Sequence, residues 1–136
     1  MAYFSSKEEL KKVLGGFFKE LVKHPEIGPK LKKSGLKLQF AYTHPELSIS
    51  VDLSQEDSPI TFDDQAFKPD VKMSMKADIA HRFWFGNINL LAALAKKDIV
   101  AKGPIPKILK LLPAVKPAYK LYPEYLQKHG YDSFMI

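Results

Sequence analysis

The sequence predicts an α/β domain of the α+β type, in which a block of strands lies between helical segments. The apolar residues repeat with a helical period at first, alternate from about residue 36, and return to the helical period after residue 76. The length of 136 residues suits one domain, and 46% hydrophobic residues can form one core. The chain contains no cysteine, which excludes disulfides and thiolate metal sites.

The first helix is predicted over residues 7–23, where Ser6 and Glu9 form a capping box. Apolar residues recur at helical spacing on one side and lysines occupy the other. Gly15-Gly16 interrupts this helix, and either a close backbone contact or a tolerated weakness explains the pair. A shorter helix is expected over residues 26–33.

Strict alternation of apolar and polar residues predicts four strands, over residues 36–42, 47–53, 60–62 and 71–75. A four-residue turn joins the first two, so they are expected to form a hairpin. A short fifth strand is expected over residues 98–102, ended by Gly103.

Helical spacing returns at Ala77, with Asp78 as the expected N-cap. Further helices are predicted over residues 87–96, 105–112 and 116–129. The stretches 83–95 and 105–112 are apolar around more than half of the helix circumference. Such a helix is either fully buried or lines a cavity, and the residues alone leave both interpretations open.

The net charge of +6 is unevenly distributed. Residues 41–70 hold one lysine against seven acids, whereas residues 71–136 hold eleven basic residues against four acids. This asymmetry indicates either a solvated basic surface or an anionic partner. Nucleic acid is not the expected partner, because Arg82 is the single arginine and the neighbouring aromatic residues 83–85 cannot form one stacking row on a helix.

No phosphate-binding loop, dinucleotide fingerprint, zinc-protease motif or EF-hand loop is present, so no cofactor is expected. A metal site is not expected either, because the four histidines are far apart in the sequence: His24, His44, His81 and His129. Asp63 and Asp64 are candidates for an acid–base pair, although a turn after a strand explains them more simply.

The longest apolar run, residues 90–95, is too short to cross a bilayer. Residues 1–12 lack the charged and then apolar pattern of a signal peptide. A soluble, cytoplasmic protein is therefore expected.

Several segments of the second half, in this order, resemble the sterol-carrier-protein-type lipid-binding domain. A strand and capped helix, Val71-Lys72-Met73-Ser74-Met75-Lys76-Ala77-Asp78, precede Gly86 and the apolar run Leu90-Leu91-Ala92-Ala93-Leu94. The strand Ile99-Val100-Ala101-Lys102-Gly103 and the apolar helix 105–112 follow. The resemblance covers residues 10–112 of a single domain spanning 1–136, and residues 113–136 are expected to form a C-terminal helical extension.

This resemblance implies a mostly antiparallel five-stranded sheet that helices cover on one face, with a hydrophobic cavity between the sheet and the C-terminal helices. It implies non-catalytic binding and transfer, or presentation, of a hydrophobic ligand such as a sterol, a fatty acyl chain or a phospholipid. The residues that it places in the cavity are Phe40, Phe62, Met73, Met75, Phe83, Trp84, Leu91, Leu94, Ile105, Leu109 and Leu112. Tyr119 and Tyr122 are expected to fold over the mouth. For each, an ordinary core position remains the alternative.

Transient contact with an anionic membrane is expected near this end of the domain, through Lys107, Lys110, Lys116 and Lys120. Two other functions remain open. One is an enzyme, or an accessory domain that presents a lipid to one, with Asp63, Asp64 or His81 in the cavity. The other is an interaction module whose apolar faces bind a partner helix.

Overall fold

The computed structural model describes residues 3–136. Its first element is a long helix, α1. It comprises an α-helical turn, Lys7–Leu10, a π-helical turn, Lys11–Gly15, and a second α-helical segment, Gly16–Lys23. The predicted cap is present, since the Ser6 hydroxyl accepts a hydrogen bond from the Glu9 amide at 3.1 Å. A short helix, α2, follows at Ile27–Lys32.

The glycine pair of α1 lies against two aromatic rings. A Cβ atom on Gly15 would come within 2.8 Å of the Phe62 ring, and one on Gly16 would collide with the Tyr125 hydroxyl. That hydroxyl donates a hydrogen bond to the Val13 carbonyl at 2.7 Å. Close contact is therefore the correct explanation for both glycines.

The five strands are β1, Lys37–Thr43; β2, Leu47–Asp52; β3, Ile60–Phe62; β4, Val71–Lys76; and β5, Ile99–Lys102. They form one sheet in the order β3-β2-β1-β4-β5, in which only the β1–β4 pair is parallel. The predicted hairpin of β1 and β2 and the mostly antiparallel five-stranded sheet are confirmed.

Four helices follow β4, with β5 between the second and the third of them: α3, Ala77–Trp84; α4, Leu90–Lys96; α5, Ile105–Val115; and α6, Ala118–Lys128. The prediction of Asp78 as N-cap is wrong. Because β4 runs into α3 without a loop, Lys76 is the N-cap residue. Asp78 lies in the first turn, where its carboxylate accepts a hydrogen bond from the Tyr3 amide at 2.9 Å.

Gly103 ends β5 at a position that only glycine fits. Its φ of +120° lies in the region that L side chains rarely adopt, and an added Cβ would collide with the Asp70 carbonyl oxygen. The chain can therefore turn tightly from β5 into α5.

The two faces of the sheet differ in polarity, as the alternation predicts. One face is apolar and lies under the helices, and it includes Leu38, Phe40, Ile49, Val71 and Met75. The opposite face carries polar and basic side chains, including Gln39, Ser50, Lys72 and Lys102. The helices therefore cover one face only, which confirms that part of the prediction.

Helix α6, in the expected extension, packs into the same core as α1. Ala118, Tyr122 and Leu126 are fully buried. A 3-10 turn at Asp132–Phe134 then brings the Phe134 ring against Phe4, with the ring centroids 5.3 Å apart. The segment 113–136 thus contributes buried side chains to the domain.

Candidate functional site

An apolar cavity lies between the covered face of the sheet and helices α1, α3 and α5. Its volume is about 100 Å3. The sheet contributes Leu38, Phe40, Tyr42, Met73, Met75 and Ile99, among others. The helices contribute residues such as Phe18, Leu21, Phe83, Trp84, Ile108 and Leu112. No charged side chain among residues 3–136 lines this cavity.

The cavity is small for a ligand site in its present state. Sites for small molecules usually enclose about 300–1,000 Å3. An engineered apolar cavity of about 150 Å3 stays dry and holds one benzene molecule. The observed space therefore suits a small apolar group, and a longer ligand requires one wall to move outward.

Helix α5 has few buried residues for its length of 11 residues. Only Ile108 and Ala114 of this helix are buried, while its other aliphatic residues are partly exposed: Ile105, Leu109, Leu111, Leu112 and Val115. Pro113 lies inside the helix and has no amide hydrogen to donate to the preceding turn. Few buried contacts and a missing hydrogen bond are typical of an element that opens at a low free-energy cost.

Six residues that the resemblance places in the cavity lie in its wall. They are Phe40, Met73, Met75, Phe83, Trp84 and Leu112. Strand alternation and helical spacing bring them together from β1, β4, α3 and α5. Their contact with a ligand remains a prediction.

The other five expected wall residues lie elsewhere. Phe62 packs on Gly15 at the far edge of the sheet, with the Lys11 ammonium 4.7 Å from its ring centroid. Leu91 is 60% exposed on the outer side of α4. Leu94, Ile105 and Leu109 are partly buried against the core outside the cavity wall. The apolar stripes of these helices are wider than the part that faces the sheet.

The two tyrosines expected at the mouth have different positions. Tyr119 is partly exposed and lies across Gly86, with its ring centroid 5.7 Å from that of Phe83. Tyr122 is fully buried, and its hydroxyl lies 2.7 Å from the Nδ1 atom of His81. The expectation for Tyr122 is wrong, because the rotation of α6 turns this side chain into the core.

His81 links α3 to the last described turn. It is fully buried, and its Nε2 atom lies 2.7 Å from the Phe134 carbonyl oxygen. A neutral ring fits both contacts, since Nε2–H donates to the carbonyl and Nδ1 accepts from the Tyr122 hydroxyl. Burial lowers the pKa of His81 and raises that of Tyr122, which favours this neutral pair.

None of the three enzyme candidates lines the cavity. Asp63 forms an ion pair with Lys7, and the hydrogen bond from that lysine lowers the pKa of the carboxyl. Asp64 accepts hydrogen bonds from the Thr61 hydroxyl at 3.2 Å and the Ala66 amide at 3.1 Å. Both carboxylates therefore stabilise the loop that follows β3.

No group of three histidine, aspartate or glutamate side chains within residues 3–136 is arranged to hold a metal ion. Within the same range, every helix is too short or too polar to cross a membrane.

Many wall residues were not among those expected, and two groups of them illustrate why. Phe18, Leu21 and Val22 belong to α1 and Leu31 to α2, where helical spacing shows only a side that packs inward. Tyr42 is different, because it alternates with Phe40 on β1 and its register partner is Met75. Extending the strand pattern by one more step would have found it.

The fold and the cavity define a small α+β domain with an apolar space beneath a five-stranded sheet. No family model matches the sequence, and no curated protein matches it. Comparison with solved structures gives the fold, which is that of the sterol carrier protein 2 domain.

Three solved structures illustrate the likeness. The sterol carrier protein domain 2 of Helicoverpa armigera has a TM-score of 0.71 at 16% identity, over 86% of this chain and 94% of that one. The apo form of sterol carrier protein 2 from Yarrowia lipolytica has a TM-score of 0.66 at 13% identity, over 87% and 98%. UbiJ-SCP2, a ubiquinone synthesis protein, has a TM-score of 0.62 at 10% identity, over 82% and 97%.

Proposed function

We propose that this protein binds a hydrophobic molecule of the lipid class in its cavity and transfers or presents it without catalysing a reaction. The predominantly apolar cavity between the sheet and α1, α3 and α5 carries this proposal. Burial of ligand surface there is favourable by about 25 cal/mol per Å2 of apolar area. Sterols, fatty acyl chains and phospholipids all offer such a surface. The likeness to sterol carrier protein 2 domains supports the same function.

Ligand entry in this proposal depends on movement of α5. A cavity of about 100 Å3 must enlarge before it holds a lipid. Helix α5 begins after Gly103 and is interrupted by Pro113, so both ends offer positions where the backbone can bend. Outward movement would withdraw Leu111 and Leu112 from the wall and widen the space under the sheet.

A membrane is the proposed source or destination of the ligand. Four exposed lysines lie on α5 and at the start of α6: Lys107, Lys110, Lys116 and Lys120. None of them forms an ion pair with an acidic residue within the described range 3–136. Basic residues near an anionic bilayer are attracted by about 1 kcal/mol each, which would bring α5 to the lipid surface.

Mass spectrometry of organic extracts from natively purified protein tests the function directly. We expect a lipid in stoichiometric amount. Recovery of no lipid, together with a stable dimer in size-exclusion chromatography, would favour an interaction module instead. A pH-dependent turnover that Asp64→Asn abolishes would favour an enzyme.

A matched pair of variants tests the cavity. Leu112→Trp places a bulky side chain in the wall, whereas Leu91→Trp adds the same group to the exposed side of α4. Diphenylhexatriene, a neutral apolar dye, should bind about 10-fold more weakly to the Leu112→Trp protein. This corresponds to a loss of about 1.4 kcal/mol of binding free energy. The Leu91→Trp protein should bind it as the unmodified protein does. Equal dye affinity of the two variants would contradict the proposed site.

A further inference from the structure

One residue of the cavity wall, Tyr42, has a buried hydroxyl group without a partner. Tyr42 and Trp84 are the two wall residues whose side chains can form hydrogen bonds. The Tyr42 hydroxyl is buried, and no residue within 3–136 forms a hydrogen bond with it. Buried polar groups in folded proteins nearly always have a partner, so an orphan hydroxyl beside a cavity needs an explanation.

The fold holds Tyr42 firmly in this position. It lies on the central strand β1, between its register partners Leu47 on β2 and Met75 on β4. Its ring is nearly parallel to that of Phe40, at an interplanar angle of 14°, and only 3% of the residue is exposed. The orphan hydroxyl is therefore fixed in the wall by a rigid element and does not reach solvent.

The hydroxyl keeps its proton over the whole physiological range. Burial raises the pKa of Tyr42 well above the usual value for tyrosine. The group therefore acts as a neutral donor and acceptor. A neutral oxygen is the matching group on a ligand, because a buried carboxylate or phosphate with one neutral partner would lose far more in hydration than it gains.

We infer that the Tyr42 hydroxyl donates a hydrogen bond to a neutral oxygen atom of the bound ligand and thereby selects its chemical class. This inference rests on the proposed ligand-binding function. The class is an apolar molecule with a ketone, ester or hydroxyl oxygen that points into the domain. A pure hydrocarbon would leave the hydroxyl without a partner, and a charged headgroup would have to stay at the mouth.

Two ligands that differ in one oxygen atom test this inference. Dodecane and 2-dodecanone, supplied from cyclodextrin complexes, are titrated against the unmodified protein and against Tyr42→Phe. Trp84 is the only tryptophan of the chain and lies in the cavity wall, so its fluorescence reports binding. Tyr42→Phe should weaken 2-dodecanone binding by about 3- to 10-fold, which is the usual effect of one neutral hydrogen bond. Its affinity for dodecane should be unchanged or higher.

Tyr131→Phe is the matched control, because Tyr131 is partly exposed and lies outside the cavity wall. It should leave both affinities unchanged. Ligand-free Tyr42→Phe should melt at the same or a higher temperature than the unmodified protein, since the change removes a polar group that has no partner. If Tyr42→Phe weakened the binding of both ligands equally, or changed the affinity of neither, the inference would be overturned. Such a result would not contradict the proposed ligand site. If neither dodecane nor 2-dodecanone changed Trp84 fluorescence in the unmodified protein, the proposed function itself would be contradicted.

Discussion

Gly16, the first residue after the π-helical turn of α1, is a point at which α6 contacts that helix. Alanine in place of glycine would favour an isolated helix by about 1 kcal/mol. Here its Cβ would collide with the Tyr125 hydroxyl, which is held by its hydrogen bond to the Val13 carbonyl. We expect Gly16→Ala to lower the free energy of unfolding by about 1–3 kcal/mol in urea denaturation, since overpacking outweighs the helical preference.

A double mutant separates this collision from other effects of the substitution. Tyr125→Phe removes the hydroxyl that occupies the space beside Gly16. In the Tyr125→Phe protein, Gly16→Ala should lower the free energy of unfolding much less than it does in the unmodified protein. The same cost in both backgrounds would show that the contact with the hydroxyl is not what requires glycine.

His81 should make stability depend on pH. Its pKa is lowered in the folded state, mainly by burial, so the unfolded chain binds the proton more tightly. The free energy of unfolding should therefore be highest above about pH 6.5 and fall as the pH drops below that value. Urea titrations at several pH values measure this slope, which one proton limits to about 1.4 kcal/mol per pH unit. His81→Gln should remove this part of the slope, and an unchanged slope would rule out His81 as its source.

At the scale of whole elements, α5 should be the first wall of the cavity to open. Two of its residues are buried, whereas α1 buries apolar residues along its full length, including Leu10, Leu14 and Phe17. Hydrogen exchange followed by mass spectrometry should show faster exchange for α5 amides than for those of α1 and β1. An apolar ligand should slow exchange in α5 more than in α6. Exchange in α5 as slow as in β1, with or without ligand, would contradict a movable wall.

The elements themselves were largely predictable, and the cavity wall was predictable only in part. Alternation located four of the five strands, because one face of the sheet is buried and the other is not; the short fifth strand was expected from its position before Gly103. Helical spacing likewise located the helices, but an apolar stripe does not show how far it faces a neighbouring element. The resemblance implies a wall position for Leu91, but this residue lies on the exposed side of α4. The buried position of Tyr122 was not predictable, because its contact with His81 spans 41 residues and leaves no local sequence pattern.

At the scale of the molecule, two surfaces that each carry four lysines can be compared. One surface is formed by α5 and the start of α6, and it carries Lys107, Lys110, Lys116 and Lys120. The other is the open face of the sheet, which carries Lys37, Lys72, Lys76 and Lys102. Only the first adjoins the helix that closes the cavity. A membrane that exchanges ligand through α5 should therefore be attracted by the first surface.

Charge reversal on these two surfaces gives a matched test. We expect the variant with four glutamates in place of Lys107, Lys110, Lys116 and Lys120 to transfer a fluorescent lipid to anionic vesicles at least about 10-fold more slowly. Transfer to neutral vesicles should change little, and added salt should reduce the difference, because the attraction is screened over about 10 Å at 0.1 M. Four glutamates on the open face of the sheet change the net charge equally, but they lie on the side opposite α5. If they slowed transfer as strongly, net charge would be responsible, and the assignment of α5 to the membrane would be wrong.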